Sequence, residues 1–214
     1  MKQLPPLFVG LFRGLLLLFL IAGSQLSIAN EEEDILLQVK ENTNQLIKRL
    51  EEERGTFHAN PDKFYTTMDE SLSNIVDFRR IAARVMGKYR KQATDSQKDQ
   101  FVETFKKSLF NAYGKTLVDS GDFNISVQKA NINPNRSNKA SVDLEISTSS
   151  GSSYPIIYNM YKNSNQNKWL LENVIVNGVN VGLAFRDRFQ QEYEQQRGDL
   201  DKVIGQWSAE LTGS

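Results

Sequence analysis

Cysteine is absent from this sequence, which excludes disulfides, thiol catalysis and cysteine-ligated zinc. It also excludes the lipid-modified cysteine that anchors a bacterial lipoprotein. Histidine occurs once, as His58, in the polar stretch Thr56–Asn60. A serine–histidine–acid triad would have to use it, and no Gly-x-Ser-x-Gly elbow accompanies it; a solvated position ahead of a helix accounts for it better. No spacing of His, Asp and Glu suggests a metal cluster, and Gly178 and Gly182 do not form a phosphate loop. The carboxylate pairs Asp62/Asp69 and Asp199/Asp201 read as helix starts and solvated faces. Charge of one sign is lacking too: 26 basic residues face 26 acidic ones. That balance argues against nucleic acid, whose phosphates demand a basic face, and against electrostatic adhesion to an anionic membrane.

Long hydrophobic runs are also missing, with one short exception. Lys2 and Arg13 precede the apolar run Leu15–Ala22, and Ser27-Ile28-Ala29 follows with small residues at the two positions a signal peptidase reads. This is the layout of a cleavable secretory signal, and the run falls short of the ~20 residues of a membrane span. The sequence therefore predicts a signal peptide over residues 1–29 and one domain over 30–214. Secretion without disulfides points to a bacterial envelope rather than a small eukaryotic ectodomain.

The domain reads as helices, then strands, then helices. Ile35, Leu36, Val39, Thr43, Leu46, Ile47 and Leu50 recur at helical spacing, with Gly55 expected to end that helix. Asn60-Pro61 starts a second helix, carrying Phe64, Met68, Leu72 and Ile75. Asp77 caps a third, closed by Gly87. Thr94 and Gln97 form a capping box for a fourth, along which Phe101, Phe105, Leu109 and Tyr113 recur every four residues. After Gly121 the period changes to two, and four strands are predicted. They are Phe123–Gln128, a run holding Val142, Leu144 and Ile146, a run of Tyr154, Ile156, Tyr158 and Met160, and Trp169–Val176. Leu183, Phe185, Phe189 and Tyr193 return to helical spacing, and Asp199 opens a last helix with Leu200, Val203, Ile204, Trp207 and Leu211. On the third strand Ile157 and Tyr161 are apolar as well, so the pattern alone does not choose the inward face; Asn159 on the odd positions favours the even ones. The fold class is α+β: terminal helices packed on a four-stranded, twisted antiparallel sheet.

Two segments carry a family resemblance. One is Asp77–Thr94 (DFRRIAARVMGKYRKQAT), running on into Gln97, Phe101, Phe105, Leu109, Tyr113 and Leu117. The other is Trp169–Asn180 (WLLENVIVNGVN), followed by Arg186, Phe189 and Gly198-Asp199-Leu200. Together they resemble the MlaC family, the periplasmic phospholipid-binding component of the system that maintains outer-membrane lipid asymmetry, also called the toluene-tolerance family. The resemblance departs at Asn173, where many relatives carry an acid, and at Ala184-Phe185-Arg186, where Asn-Tyr-Arg is common.

The resemblance implies a fold like the nuclear-transport-factor-2 superfamily, with acyl tails in a pocket between sheet and helices. It implies a non-catalytic protein with phospholipid as cargo and no cofactor or metal. Its partners would be an inner-membrane ABC transporter complex with a substrate-binding ring and an outer-membrane lipoprotein–porin complex. The residues expected at the acyl pocket are Phe105, Leu109 and Tyr113 of the fourth helix, Val142, Leu144 and Ile146, and Tyr154, Ile156, Tyr158 and Met160. Ile175, Val179 and Leu183 join them, with Met86 and Met160 supplying adaptable thioethers. Two other functions fit the composition: an enzyme on the same cone-shaped fold using a pocket carboxylate, and an envelope adaptor with a solid core. No convincing acid or histidine on an inward strand position supports the enzyme.

Overall fold

The computed structural model describes the backbone of residues 7–119 and 123–209, and side-chain surroundings from residue 30 onward except at 116, 117 and 119. The expected signal segment and its cleavage point at Ala29 fall outside the residues whose side chains are described, as does Leu211. Among the described residues no helix is long and apolar enough to cross a membrane.

Helix α1 (Leu7–Ala59) continues through Gly55, correcting the expected stop. A glycine inside a helix costs only about 1 kcal/mol, and nothing presses on Gly55 to force a turn. The break comes at Asn60-Pro61, where proline has no N–H to donate. The Asn60 side chain accepts from Lys63 N at 3.1 Å and caps α2 (Pro61–Ser73). Asp77 accepts from Arg80 N at 2.8 Å and starts α3 (Phe78–Val85). A 3₁₀ turn at Gly87–Lys91 follows. The capping box of α4 (Asp95–Asp119) forms both ways, Gln97 N to Thr94 Oγ1 at 3.1 Å and Thr94 N to Gln97 Oε1 at 3.0 Å.

The sheet has five strands rather than four, all antiparallel and in sequence order: β1 (Phe123–Asn133), β2 (Arg136–Thr148), β3 (Ser153–Asn163), β4 (Lys168–Val176) and β5 (Val179–Asn180). The extra strand comes from Asn177-Gly178, both at positive φ (49° and 82°), a two-residue hairpin turn. Helices α5 (Val181–Gln195) and α6 (Leu200–Gly205) complete the chain.

Register settles the strand faces. Ala140, Val142, Leu144 and Ile146 stand opposite Met160, Tyr158, Ile156 and Tyr154. Residues paired across a ladder point to the same side. That side packs against Ile35 and Val39 of α1. A second core lies among the helices, where Phe101 meets Phe189 edge-on at 5.0 Å and Phe105 meets Phe185 at 5.5 Å, with Trp207 among them. A bridge between Val76 and Leu171 ties the α2–α3 link to the β4 edge. The two cores therefore meet along β4 and α3.

Candidate functional site

Where the cores meet, the helices leave an apolar cleft of about 270 Å³. Leu72 of α2, Val76, and Phe78 and Ile81 of α3 form one wall; Phe105, Leu109, Phe110 and Tyr113 of α4 form another. Leu171 and Val174 of β4, with Val181 and Phe185 at the start of α5, close the third side. The i, i+4 stripe of α4 grades along its length. Phe101 and Phe105 are fully buried, Leu109 is half-buried, and Tyr113 is 38% exposed, its hydroxyl donating to the Ala209 carbonyl at 3.0 Å. One helix face thus passes from packed core through cleft wall to surface.

Two polar side chains reach the lining. Asn173 accepts from Gly182 N at 3.0 Å and donates to Asn180 Oδ1 at 3.1 Å, while Asn180 Oδ1 also accepts from Leu183 N. The start of α5 is thereby pinned to β4, and a Cβ at position 182 would collide with Asn173 Oδ1. Lys106 pairs with Asp69 at 2.9 Å and Glu103 at 3.0 Å. Burial works to lower its pKa, but the two carboxylates outweigh it and the net shift is upward.

Behind the cleft, α3 is fixed to the sheet by a buried carboxylate. Glu172, 6% exposed, accepts from Lys139 Nζ at 2.7 Å and Arg80 Nε at 2.6 Å and forms an ion pair with Arg84 at 2.9 Å. Burial alone would raise its pKa; the three cations together hold it below the ordinary range. Arg80 also lies 3.9 Å over the Tyr161 ring, and the Tyr161 hydroxyl donates to Asp77. Burial, followed by that carboxylate, pushes the phenol up to about 12.

Of the expected pocket residues, Phe105, Leu109 and Tyr113 line this cleft. The others are placed elsewhere. Met86 is buried in the helical core, because α3 turns Ala82, Val85 and Met86 toward Phe101 and Phe189 while Phe78 and Ile81 face the cleft. Val142, Leu144, Ile156 and Met160 are buried under α1, with Ile146 and Tyr158 partly buried beside them. Helix α1 occupies the space where the cavity was expected. Tyr154 is 43% exposed near the start of β3, and Ile175 stands opposite Ile157 on the other face of the sheet. Val179 and Leu183 are exposed around the β5–α5 junction. Leu72, Phe78, Ile81, Phe110, Val174 and Phe185 line the cleft as well, outside the set expected from the sequence. All but Phe110 and Val174 sit on helical stripes, and what singles them out is the crossing of α2, α3 and α5 over β4.

Comparison with known proteins places the chain in a family and a fold. The family described as MlaC protein matches residues 40–209. A curated relative, the toluene tolerance protein ttg2D of Pseudomonas putida, is 33% identical over 200 residues, covering 93% of this chain and 90% of the relative. A solved phospholipid-binding protein from Ralstonia solanacearum, in complex with a phospholipid, superposes with a TM-score of 0.70 at 18% identity. That match covers 80% of this chain and 97% of the neighbour, and it shows a shared fold.

Proposed function

The chain belongs to the MlaC family, and on that premise we propose that it is a non-catalytic carrier that holds phospholipid by its acyl tails in the apolar cleft. The observation that carries the reading is the cleft wall itself. Apart from Lys106 and Asn173, its side chains are hydrocarbon or aromatic, drawn from four helices and one strand. The phospholipid seen in the Ralstonia solanacearum neighbour supports the same reading.

Magnitudes then shape the mechanism. Each buried CH₂ contributes roughly 0.8 kcal/mol, so a sixteen-carbon tail gains on the order of 12 kcal/mol relative to water. Such a lipid does not escape into water on a useful timescale, but moves to another apolar site at almost no net cost. Transfer therefore proceeds by docking to membrane complexes, and its direction is set outside this chain. At about 270 Å³ the cleft lies just under the about 300–1,000 Å³ that encloses drug-sized ligands. A two-tailed lipid thus requires the helices around it to separate.

The carrier would work in the periplasm as a single domain over residues 30–214. It would exchange lipid between an outer-membrane lipoprotein–porin complex and an inner-membrane ABC transporter complex, and so maintain outer-membrane lipid asymmetry. Mass spectrometry of organic extracts from the purified protein tests the cargo: phospholipid should accompany the wild type. Its consistent absence would refute the reading. N-terminal sequencing of periplasmic material should begin at Asn30; a retained Leu15–Ala22 run in the membrane fraction would refute the cleavage.

A further inference from the structure

Between Phe78 and Thr94 the chain carries six basic residues and no acid, in a protein whose charges balance over the whole sequence. The structure divides that run. Arg80 and Arg84 bind Glu172, and Arg79 pairs with Asp99 at 2.6 Å. Lys88, Arg90 and Lys91 have no ion-pair partner among the described residues, and all three are exposed.

These three cations project from the 3₁₀ turn Gly87–Lys91, and Arg186 of α5 joins them around one surface depression of about 550 Å³ that no acid lines. The Arg186 stem lies against Gly87, 3.5 Å from where a Cβ would stand. Among the described residues its one ion-pair partner is Asp187, at 3.7 Å. The turn is held firmly from beneath. Tyr89 is buried, stacks on Tyr193 at 4.0 Å, and Tyr193 donates to Gln92 at 2.7 Å. The positive charges are therefore preorganised, and a ligand need not order the backbone that bears them.

We propose that the Gly87–Lys91 turn and Arg186 form a docking face for an acidic segment of a partner protein. Charge complementarity sets the sign of the partner. Two features favour a protein over a bilayer. The cations surround a depression, which receives protruding carboxylate side chains, whereas a bilayer presents a plane. The large exposed apolar residues (Leu37, Tyr113, Tyr154, Val179, Leu183) all lie outside this depression, leaving nothing there to insert among acyl chains. The face shares no lining residue with the apolar cleft, so the inference goes beyond the carrier reading and stands apart from it.

The test uses a fluorescent decaglutamate peptide, titrated by anisotropy at low salt and at about 0.15 M, where the Debye length is ~8 Å. Wild-type protein should bind, more weakly at the higher salt. The exposed triple reversal Lys88→Glu/Arg90→Glu/Lys91→Glu should weaken binding by about tenfold or more. The charge-matched reversal Lys63→Glu/Lys107→Glu/Lys168→Glu, also exposed, should leave it within about twofold. Equal loss in both triples, or no loss in the first, overturns the proposal. So does capture of phosphatidylglycerol vesicles in place of the peptide, abolished by the same three reversals. Phospholipid extracted from the same samples separates the two readings. Wild type without lipid but with the peptide response refutes the carrier and leaves the docking face standing; lipid retained with no peptide response does the reverse.

Discussion

Removing the carboxylate of Glu172 should loosen α3 from the sheet, at a cost the contacts allow to be estimated. The side chain is 6% exposed, accepts charge-assisted hydrogen bonds from Lys139 and Arg80, and forms an ion pair with Arg84. Such bonds contribute about 1.5–3 kcal/mol each in isolation, but they are not additive here. Breaking a fully buried pair costs about 3–5 kcal/mol. Lys139, Arg80 and Arg84 are 23%, 40% and 50% exposed, so freed cations regain water and the low end applies. Glu172→Ala should lose about 3 kcal/mol, lowering Tm by roughly 6–12 °C for a chain of this size. Glu172→Gln keeps one acceptor oxygen and should lose about 2 kcal/mol.

The pH dependence gives the sharper check. The folded-state pKa of Glu172 is depressed, so its contribution is present above the unfolded value of about 4.5 and fades as pH falls through the lower folded value. Wild type and Glu172→Gln should therefore differ most at neutral pH and converge in acid. Thermal unfolding followed by circular dichroism at pH 7 and at successive steps below 4.5 reads this directly. A difference under about 1 kcal/mol at pH 7, or one unchanged in acid, would refute the reasoning.

Three further outcomes are expected. Leu109→Asp places a charge on the cleft wall, costing several kcal/mol or raising the new carboxyl's pKa; a folded variant that retains full phospholipid content would contradict the assigned helix face. Gly182→Ala should destabilise by about 1–3 kcal/mol by displacing the Asn173 amide, and Asn173→Ala in the same background should relieve part of the loss. Additive losses in that double-mutant cycle would show that the two sites do not touch. Tyr161 should ionise well above the ordinary phenol range, near 12. Because its neutral form is favoured in the folded state, its advantage over Tyr161→Phe should hold below pH 10 and decline between 10 and 12. Ultraviolet difference titration of both proteins checks this, and a normal titration of every tyrosine would exclude it.

Local rules made much of the fold legible. The α4 capping box needs only residues three apart, and the aromatic stripe of α4 is a property of one helix; both form as the periodicity predicts. The inward parity of β3 was legible only in part: apolar residues stand on both faces, Asn159 favours the even positions, and Ile156 and Met160 are the ones buried in the core that includes Ile35 and Val39 of α1. The fifth strand had a signal in Asn177-Gly178, a hairpin dipeptide whose positive φ angles suit that turn. The cleft was less legible, because apolarity does not say what covers a surface. Val142 and Leu144 look as suitable for a ligand as Leu109 does, and the difference is that α1 lies over them.

Helix α3 shows why such distinctions escape one-dimensional patterns. Its residues serve three surroundings within two turns. Phe78 and Ile81 face the cleft, Ala82 and Val85 face the helical core, and Arg80 and Arg84 face Glu172. A stripe analysis registers the apolar positions as one broad face and the arginines as solvated. Tyr161, apolar on an outward strand position, is explained by the same helix, since the Arg80 guanidinium covers its ring. The basic run from Arg79 to Lys91 is likewise single in sequence and divided in space. A glutamate 92 positions beyond Arg80 takes up Arg80 and Arg84, and the glycine turn at 87 carries Lys88, Arg90 and Lys91 out of its reach. Which cations hold the fold and which stay available to a partner is thus decided by the β4 pairing register that places Glu172 beneath α3.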